Sequence, residues 1–323
     1  MALFVRAFAR GLAVTVPFFG GVAVALAQTL TITAPAPPGS GWDKTAHAME
    51  DALTATGLAE RVLIVNMPGS GGTVGLAKFT KHARGDDKQL LVTGLFMVGA
   101  LIVNRSTVSL GDVTPIARLT AEADVVVVPA GSPIQNINDL MAALKKDPVK
   151  VSWAGGLAGG IDHVTAALIA KAAGVDLTKL NYIPFVGTGE VAAAVANSQV
   201  TAGISNYGEL QESIAAGKLR VLGITSRHRS TFIDAPTLAE QGIDIDVVNW
   251  RGVVAAPGIS DEQRKSLARA VDTMVGSPSW LSNLQARRWD DAYLSSDAFA
   301  AFLKQEETRV AGVLKSIGFV RQP

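Results

Sequence analysis

Strand-like and helix-like runs alternate along the chain, and this alternation limits the possible folds more than any other feature. Short apolar runs such as 30–33, 89–93 and 125–128 are separated by amphipathic runs such as 43–56 and 162–173. Alternating β and α units favour an α/β architecture, with helices packed on the faces of the sheets. Four consecutive valines at 125–128 are typical of a buried parallel strand. The sequence therefore predicts an α/β fold with mostly parallel sheets.

The length of the chain indicates more than one sheet. It has 323 residues, of which 48% are hydrophobic and 18% are charged, a composition that can bury a core. We expect two α/β lobes that the chain crosses twice. Residues 28–122 and 251–323 are predicted to form lobe 1, and residues 123–250 are predicted to form lobe 2.

Charge and cysteine usage exclude several classes of protein. Lys and Arg together number 29 and Asp and Glu together 28, a net charge of +1, and no block of basic residues interrupts this balance. Nucleic-acid binding requires a dense cationic surface, so we expect no nucleic-acid partner. The chain has no cysteine, which excludes disulfides, thiol catalysis, cysteine-ligated metals and a lipid-modified N-terminal cysteine.

The N-terminal residues 1–27 have the pattern of a secretory signal. Arg6 and Arg10 precede a mostly apolar stretch, which ends in the small-x-small sequence of residues 25–27. A membrane anchor is the alternative, but the stretch is short for a spanning helix and contains Pro17 and several glycines. We predict cleavage after Ala27 and an exported, soluble product.

Four glycine-bearing loops follow predicted strands and open predicted helices. They cover residues 37–43, 66–73, 153–163 and 184–190. Helix N-termini expose unpaired N–H groups and the positive end of the helix dipole, and glycine lets a ligand approach the backbone closely. Several such loops facing one cleft would bind an anion between the lobes. The alternative for each loop alone is an ordinary tight turn between a strand and a helix.

Each loop contributes candidate ligand contacts. The aromatic candidates are equally compatible with the core, the two aspartates with helix capping, and the histidine with orienting its loop. A tryptophan in the cleft could also donate its indole N–H to a carboxylate oxygen. The candidates are Ser40, Gly41, Trp42, Asp43, Ser70, Gly71, Gly72, Thr73, Trp153, Gly155, Gly159, Gly160, Asp162, His163, Phe185 and Gly187.

Catalytic, nucleotide-binding and metal-binding motifs are missing from the sequence. Its four histidines do not form H-E-x-x-H or another close metal spacing, and no G-x-S-x-G elbow is present. No stretch matches the G-x-x-x-x-G-K-[ST] or G-x-G-x-x-G nucleotide motif. We therefore expect a protein without catalytic residues, metal or cofactor. An exported α/β hydrolase or transferase is the alternative, and it would require a nucleophile–base pair in the cleft.

Together the loops and several later segments resemble the periplasmic solute receptors of the tripartite tricarboxylate transporter family, the TctC or Bug-type proteins. The resemblance covers nearly the whole mature chain. It implies a two-lobed Venus-flytrap fold of the type II periplasmic-binding class, with a carboxylate ligand in the cleft between the lobes. The segments that carry the resemblance are 37–43, 66–72, 114–119, 152–163, 202–209, 249–252 and 256–260.

The same resemblance implies a ligand class, two more contacts and a partner. The sequence Gly41-Trp42-Asp43 is similar to the tricarboxylate branch, which favours citrate, whereas other branches bind dicarboxylates, acidic amino acids or aromatic acids. Ser205 and Tyr207 join the candidate contacts. The implied protein is a periplasmic monomer that delivers its ligand to inner-membrane transporter subunits. A sensory receptor that presents a dicarboxylate or other organic acid to a membrane kinase is the alternative.

Overall fold

The computed structural model describes residues 26–185, 189–316 and 318. Strands and helices alternate through most of this part of the chain, and the predicted α/β fold class is confirmed. The strands and α-helices are, in chain order, β1 (Leu26–Ala34), α1 (Gly41–Ala55), β2 (Ala59–Asn66), α2 (Thr73–His82), β3 (Gln89–Gly94), α3 (Leu95–Val103), β4 (Thr114–Ala121), β5 (Asp124–Pro129), α4 (Ile137–Lys146), β6 (Ser152–Gly155), α5 (Ile161–Ala172), β7 (Asn181–Pro184), α6 (Glu190–Ala196), β8 (Ala202–Asn206), α7 (Tyr207–Ala215), β9 (Leu219–Ile224), β10 (Arg251–Ala255), α8 (Asp261–Val275), α9 (Pro278–Arg287), β11 (Asp290–Leu294) and α10 (Ser296–Ser316).

The strands form two sheets. The six-stranded sheet has the order β11-β4-β10-β3-β1-β2, and the five-stranded sheet has the order β7-β6-β8-β5-β9. We call the six-stranded sheet, together with the helices next to it in the chain, the six-stranded unit. The five-stranded sheet with its helices is the five-stranded unit. Strand β1 is parallel to β2 and β3, and β6 is parallel to β7 and β8.

Both sheets are mixed, so the prediction of mostly parallel sheets is wrong. Strand β10 is antiparallel to β3 and β4, and β5, which carries the four valines, is antiparallel to β8 and β9. Strands β5 and β10 are the first strands after the chain has crossed from the other unit. Arg251 at the start of β10 pairs with Gly94 at the end of β3, and Asp124 at the start of β5 pairs with Asn206 at the end of β8. Strands β5 and β10 begin at the crossings and run away from them, whereas β3 and β8 end there. Each pair is therefore antiparallel.

The two segments that carry the chain between the sheets pair with each other. The backbone N–H of Glu122 donates to the carbonyl of Asn249 at 3.2 Å, and the N–H of Asn249 donates to the carbonyl of Glu122 at 2.9 Å. Ala123 and Val248 form an antiparallel bridge beside them. We call these paired residues the hinge. The division of the chain into lobes at residues 122/123 and 250/251 stays a prediction.

Strand β1 begins at Leu26, earlier than the predicted run at 30–33. The predicted signal segment lies outside the described residues, apart from Leu26 and Ala27. Cleavage after Ala27 would remove the pairing of Leu26 with Ala59. The continuous pairing of Thr29 to Ala34 with β2 would remain.

Helix N-termini gather at one edge of the six-stranded sheet. Strands β1, β2 and β3 are parallel, so their carboxyl ends share an edge, and α1, α2 and α3 begin just beyond them. The sequence predicts α1 and α2 but not α3. Its residues, Leu95–Val103, are almost uniformly apolar and lack the 3.6-residue alternation that marks an amphipathic helix.

Candidate ligand-binding site

A cavity of about 390 Å³ lies at the edge where these helices begin. We call it the helix-end compartment. Most of its wall belongs to the six-stranded unit, but Ile161 at the start of α5 and Asn249 of the hinge also contribute. The lining residues are Pro35, Ala36, Pro37, Ser40, Gly41, Trp42, Gly69, Gly71, Gly72, Phe96, Ile161, Asn249 and Arg251.

The start of α1 presents unpaired backbone donors in this wall. Ser40 is the N-cap residue, and its side-chain oxygen accepts a hydrogen bond from the backbone N–H of Asp43 at 3.3 Å. The N–H groups of Gly41 and Trp42, the first two residues of the helix, have no acceptor among the described residues. Orphan N–H groups and the positive end of the helix dipole together favour an anion at this position.

The loop before α2 has a backbone that requires glycine. The φ angles of Gly71 and Gly72 are 65° and 89°, in the left-handed region. A Cβ on Gly71 would lie 2.4 Å from the Cβ of Ala100, and a Cβ on Gly72 would lie 2.8 Å from Met97 Cε. The loop therefore packs directly against α3, and a side chain at either position would force the two apart.

Arg251 is the only charged side chain among the described residues that line this compartment. Its side chain is 8% exposed and forms an ion pair with Glu122, and its guanidinium carbon lies 5.0 Å from the centre of the Trp289 ring. The Nη1 atom is buried and has no hydrogen-bond partner within the described residues. A Cβ on Gly41 would lie 2.8 Å from Nη2, so glycine at this position lets α1 begin directly against the guanidinium.

Two more side chains add neutral polar groups to the same wall. The indole N–H of Trp42 and the side-chain amide of Asn249 make no hydrogen bond within the described part of the chain. The Trp42 ring packs edge-on against Phe96, with 6.3 Å between the ring centres. Trp42 is 8% exposed, so its ring is fixed in the wall.

A second cavity of about 250 Å³ adjoins the first, because Gly71, Phe96 and Ile161 line both. We call it the apolar compartment. It lies between α3 of the six-stranded unit and the glycine-rich loop before α5 of the five-stranded unit. Its lining residues are Ser70, Gly71, Leu95, Phe96, Gly99, Ala100, Val103, Asn104, Leu157, Ala158, Gly159, Gly160, Ile161, Val164 and Val310.

Asp43 braces the first glycine loop. One carboxylate oxygen accepts the backbone N–H of Gly39 at 2.7 Å, and the other accepts the side-chain amide of Asn66, also at 2.7 Å. Burial raises the pKa of Asp43, but these hydrogen bonds outweigh it and lower the pKa overall. Asp43 lines neither compartment. Its assignment as a ligand contact stays a prediction, beside the helix-capping role that the sequence left open.

The loop before α5 is braced by three side chains. Asp162 accepts the backbone N–H of Gly156 at 2.6 Å, His163 Nδ1 accepts that of Gly159 at 3.0 Å, and the Tyr182 hydroxyl donates to the carbonyl of Gly156 at 2.8 Å. His163 also stacks on Tyr182, with 4.2 Å between the ring centres. Burial lowers the pKa of His163, which favours the neutral ring that accepts at Nδ1. Neither Asp162 nor His163 lines either compartment, and their assignment as ligand contacts stays a prediction.

Asp162 also interacts electrostatically with Asp124, a buried carboxyl whose Oδ2 has no hydrogen-bond partner among the described residues. Burial raises the pKa of Asp162 to about 6, although the hydrogen bond from Gly156 opposes the rise. Burial and the neighbouring charge of Asp162 raise the pKa of Asp124 well above its ordinary value. Two carboxyl groups buried together favour a shared proton. The pair supports the loop and is separate from the cavity walls.

The other predicted contacts lie away from the two compartments. Trp153 is fully buried in the core, because β6 lies between two strands of its sheet. The Ser205 hydroxyl donates to Glu209 at 2.8 Å, and Tyr207 lines a separate cavity of about 330 Å³ that Glu122 also lines. The assignment of these three residues as ligand contacts stays a prediction.

Four further predicted residues have packing roles or lie outside the description. Thr73 is buried and donates its hydroxyl to the carbonyl of Ser70 at 3.0 Å. A Cβ on Gly155 would lie 2.3 Å from the Tyr182 hydroxyl, so glycine is needed there for packing. Phe185 packs against the core of the five-stranded unit. The prediction for Gly187 lies outside the described residues.

Sequence reasoning missed Phe96, Asn249 and Arg251 as lining residues. Asn249 and Arg251 belong to the segment 249–252 that carries the family resemblance, and this resemblance was a signal that could have indicated them. A single arginine far from the glycine loops in the sequence does not by itself indicate that it lies beside them in the fold. Phe96 was missed together with α3. Only the folded sheet brings these residues beside Gly41.

The family model for the tripartite tricarboxylate transporter family receptor, TctC, matches residues 46–319. The chain belongs to this family. It is therefore a periplasmic solute-binding receptor and not an enzyme. A curated relative of this TctC receptor is a UPF0065 protein from the tcbD-tcbE intergenic region of Pseudomonas sp. strain P51. The two are 26% identical over 287 residues, which cover 87% of this chain and 84% of the relative.

Solved structures share the fold of the receptor. A ligand-free TctC solute binding protein from Polaromonas is 25% identical with a TM-score of 0.79, and the match covers 89% of this chain and 98% of that one. MatC from Rhodopseudomonas palustris with bound malate is 22% identical, with a TM-score of 0.66 and coverage of 89% and 99%. R. palustris Rpa4515 with adipate is 21% identical, with a TM-score of 0.69 and coverage of 90% and 97%.

The described part of the receptor contains neither a candidate membrane-spanning helix nor a candidate metal cluster. Within residues 26–185, 189–316 and 318, no helix is long and apolar enough to cross a bilayer. The same residues contain no group of three or more His, Asp or Glu side chains placed to hold a metal ion.

Proposed function

We propose that this receptor binds the carboxylate group of a small organic acid in the helix-end compartment. The observation that carries the proposal is the combination of two donor types in one wall. The N–H groups of Gly41 and Trp42 are unpaired, and beside them Arg251 has a buried Nη1 without a partner. An acid in this compartment would satisfy groups that the protein leaves open.

The proposed contacts combine predicted residues with residues found only from the structure. Backbone N–H groups at the start of α1 and side-chain groups of Trp42, Ser40 and Asn249 bind the carboxylate, and Arg251 supplies positive potential behind them. Charge-assisted hydrogen bonds are worth about 1.5–3 kcal/mol each, so a few of them account for most of the roughly 8 kcal/mol of a micromolar complex. Gly71 and Gly72 form another part of the wall of the helix-end compartment.

The geometry supports an organic acid with at least one carboxylate, but it gives no specific support for citrate. Citrate, which the sequence of the first loop favours, carries three carboxylates. Arg251 is the only charged side chain among the described lining residues of both compartments, and it is already paired with Glu122. The related proteins whose structures contain malate and adipate bind acids with two carboxylates. They support an organic acid as the ligand class.

The proposed mechanism is closure of two lobes about the hinge. Residues 28–122 and 251–323 form one lobe and residues 123–250 the other, and an acid that touches both favours the closed state. The liganded receptor then delivers the acid to inner-membrane subunits of a tripartite tricarboxylate transporter. We propose that it does so as a soluble periplasmic monomer after signal cleavage behind Ala27.

The test is calorimetric titration of the receptor with malate, adipate, hexanoate and citrate, each paired with its amide. The proposal expects at least one acid to bind at least tenfold more tightly than its amide, because the amide lacks the charge that the wall favours. If every acid and its amide bind equally, or if none binds, the helix-end compartment is not a carboxylate site.

A further inference from the structure

Across its described lining, the apolar compartment has no charged side chain that could pair with a second carboxylate. Among its described lining residues no side chain is charged, and the only polar side chains are those of Ser70 and Asn104. The remaining wall consists of glycine, alanine and larger aliphatic or aromatic residues. A carboxylate buried there would lose its hydration without gaining a cationic side chain as a partner.

Large apolar side chains are left uncovered on both sides of this compartment. Phe96 and Val103 on α3 are 44% and 40% exposed, and Leu157 on the opposite loop is 52% exposed. Apolar surface removed from water stabilises a complex in proportion to its area. An apolar ligand body between α3 and the loop would cover both surfaces at once.

The two compartments form one path for a ligand. Gly71, Phe96 and Ile161 border both of them, so a carboxylate at the start of α1 leaves the rest of the molecule directed past Phe96. The one charged side chain among the described residues of the two walls, Arg251 with its buried and unpartnered Nη1, lies on the helix-end side. The cationic group and the exposed apolar side chains are therefore at opposite ends of the path.

We infer that the ligand is an amphiphilic monocarboxylate, with its carboxylate in the helix-end compartment and an apolar alkyl or aryl body in the apolar compartment. The inference rests on the proposed function, because the carboxylate must first be held at the start of α1. It replaces citrate with an acid that has one charged end. Closure of the two units over the apolar body would then bury Leu157 against α3.

The ligand test compares hexanoate with adipate, which has the same six-carbon chain but a second carboxylate in place of the terminal methyl group. Hexanoate is expected to bind at least tenfold more tightly than adipate or citrate. From propionate to hexanoate, each added methylene should tighten binding about fourfold, the factor that corresponds to about 0.8 kcal/mol per buried methylene.

The variant test uses Leu157→Ser, with Val149→Ser as a matched control. Val149 is 58% exposed and lines neither compartment. Leu157→Ser should weaken hexanoate about tenfold, because burial of a leucine side chain is worth about 1.5 kcal/mol or more. It should leave propionate unchanged, because a three-carbon acid does not reach the loop. Val149→Ser should change neither.

The outcomes separate this inference from the proposed function. If adipate or citrate binds as tightly as hexanoate, or if Leu157→Ser leaves hexanoate binding intact, the amphiphilic ligand is wrong, while a carboxylate site at α1 stands. If no acid in the series binds, the proposed function fails, and the inference fails with it.

Discussion

Gly71 contributes to the shape of both compartments. It lines both cavities, its φ angle of 65° lies in the left-handed region, and its Cα faces Ala100 with no room for a methyl group. The glycine pattern of the sequence alone indicates Gly71 as a candidate contact. It does not indicate Arg251, because the residues that place Arg251 in the site are Gly41 and Glu122, and only the fold brings these three together.

The substitution Gly71→Ala should weaken ligand binding at least tenfold. An alanine there pays the cost of a left-handed conformation, about 1–2 kcal/mol, and its Cβ would also lie 2.4 Å from the Cβ of Ala100. The loop and α3 must then move apart, which changes both compartments. Titration calorimetry and chemical denaturation measure the two effects separately.

Gly57→Ala is the matched control. Gly57 has a similar φ angle of 69°, and a Cβ there would meet nothing within 4 Å. It should lower the free energy of unfolding by the same 1–2 kcal/mol and leave binding unchanged. Equal binding by Gly71→Ala and Gly57→Ala would show that the loop before α2 does not shape the site.

At the scale of elements, the helices contribute to the candidate site through their first residues. Helices α1, α2 and α3 begin at one edge because β1, β2 and β3 are parallel, and α5 brings Ile161 to the same place. The alternation of apolar runs predicts α1, α2 and α5 from the sequence. It does not predict α3, nor the direction of β5 and β10, because strand direction follows from where the chain crosses the hinge and not from residue pattern.

The buried pair of Asp124 and Asp162 gives the loop before α5 a pH dependence. Both pKa values are raised by burial, so the folded protein holds a proton that the unfolded chain, with an aspartate pKa of about 3.9, releases. Between about pH 4 and 6 the folded state therefore binds more protons. This pair makes the protein more stable at pH 5 than at pH 7, by on the order of 1–3 kcal/mol.

Asp162→Asn should reduce this response, because it removes one of the two raised carboxyl groups, while burial still raises the pKa of Asp124. An asparagine oxygen can still accept the N–H of Gly156, and its amide can donate to Asp124, so the loop keeps its shape without the shared proton. Urea denaturation of both proteins at pH 5 and pH 7 measures the change. If the two proteins respond to pH identically, Asp162 does not titrate in this window.

At the scale of the whole molecule, the paired hinge segments are where the chain passes between the two units. Only two stretches of backbone connect the sheets, and they hydrogen-bond to each other through Glu122 and Asn249. The apolar compartment is lined from both units, so its volume depends on their separation. The sequence predicted two lobes from length and alternation, but the pairing of the hinge segments has no sequence signal, because it joins residues far apart in the chain.

Ligand binding should make the molecule more compact. A hexanoate that covers Phe96 and Leu157 favours the closed arrangement, so the radius of gyration measured by small-angle X-ray scattering should fall at saturation. The same titration with acetate, which has no apolar body, should produce a smaller change. An unchanged radius with saturating hexanoate would contradict closure but not binding.

The central claim is that the N–H groups at the start of α1 bind the carboxylate. The chain has five tryptophans, so protein labelled with [¹⁵N]tryptophan gives a small set of NMR signals, and Trp42→Phe identifies those of Trp42. Titration with hexanoate should move the backbone and indole N–H signals of Trp42 downfield, more than the signals of fully buried Trp280. Trp42 signals that stay in place at saturating acid would contradict the claim.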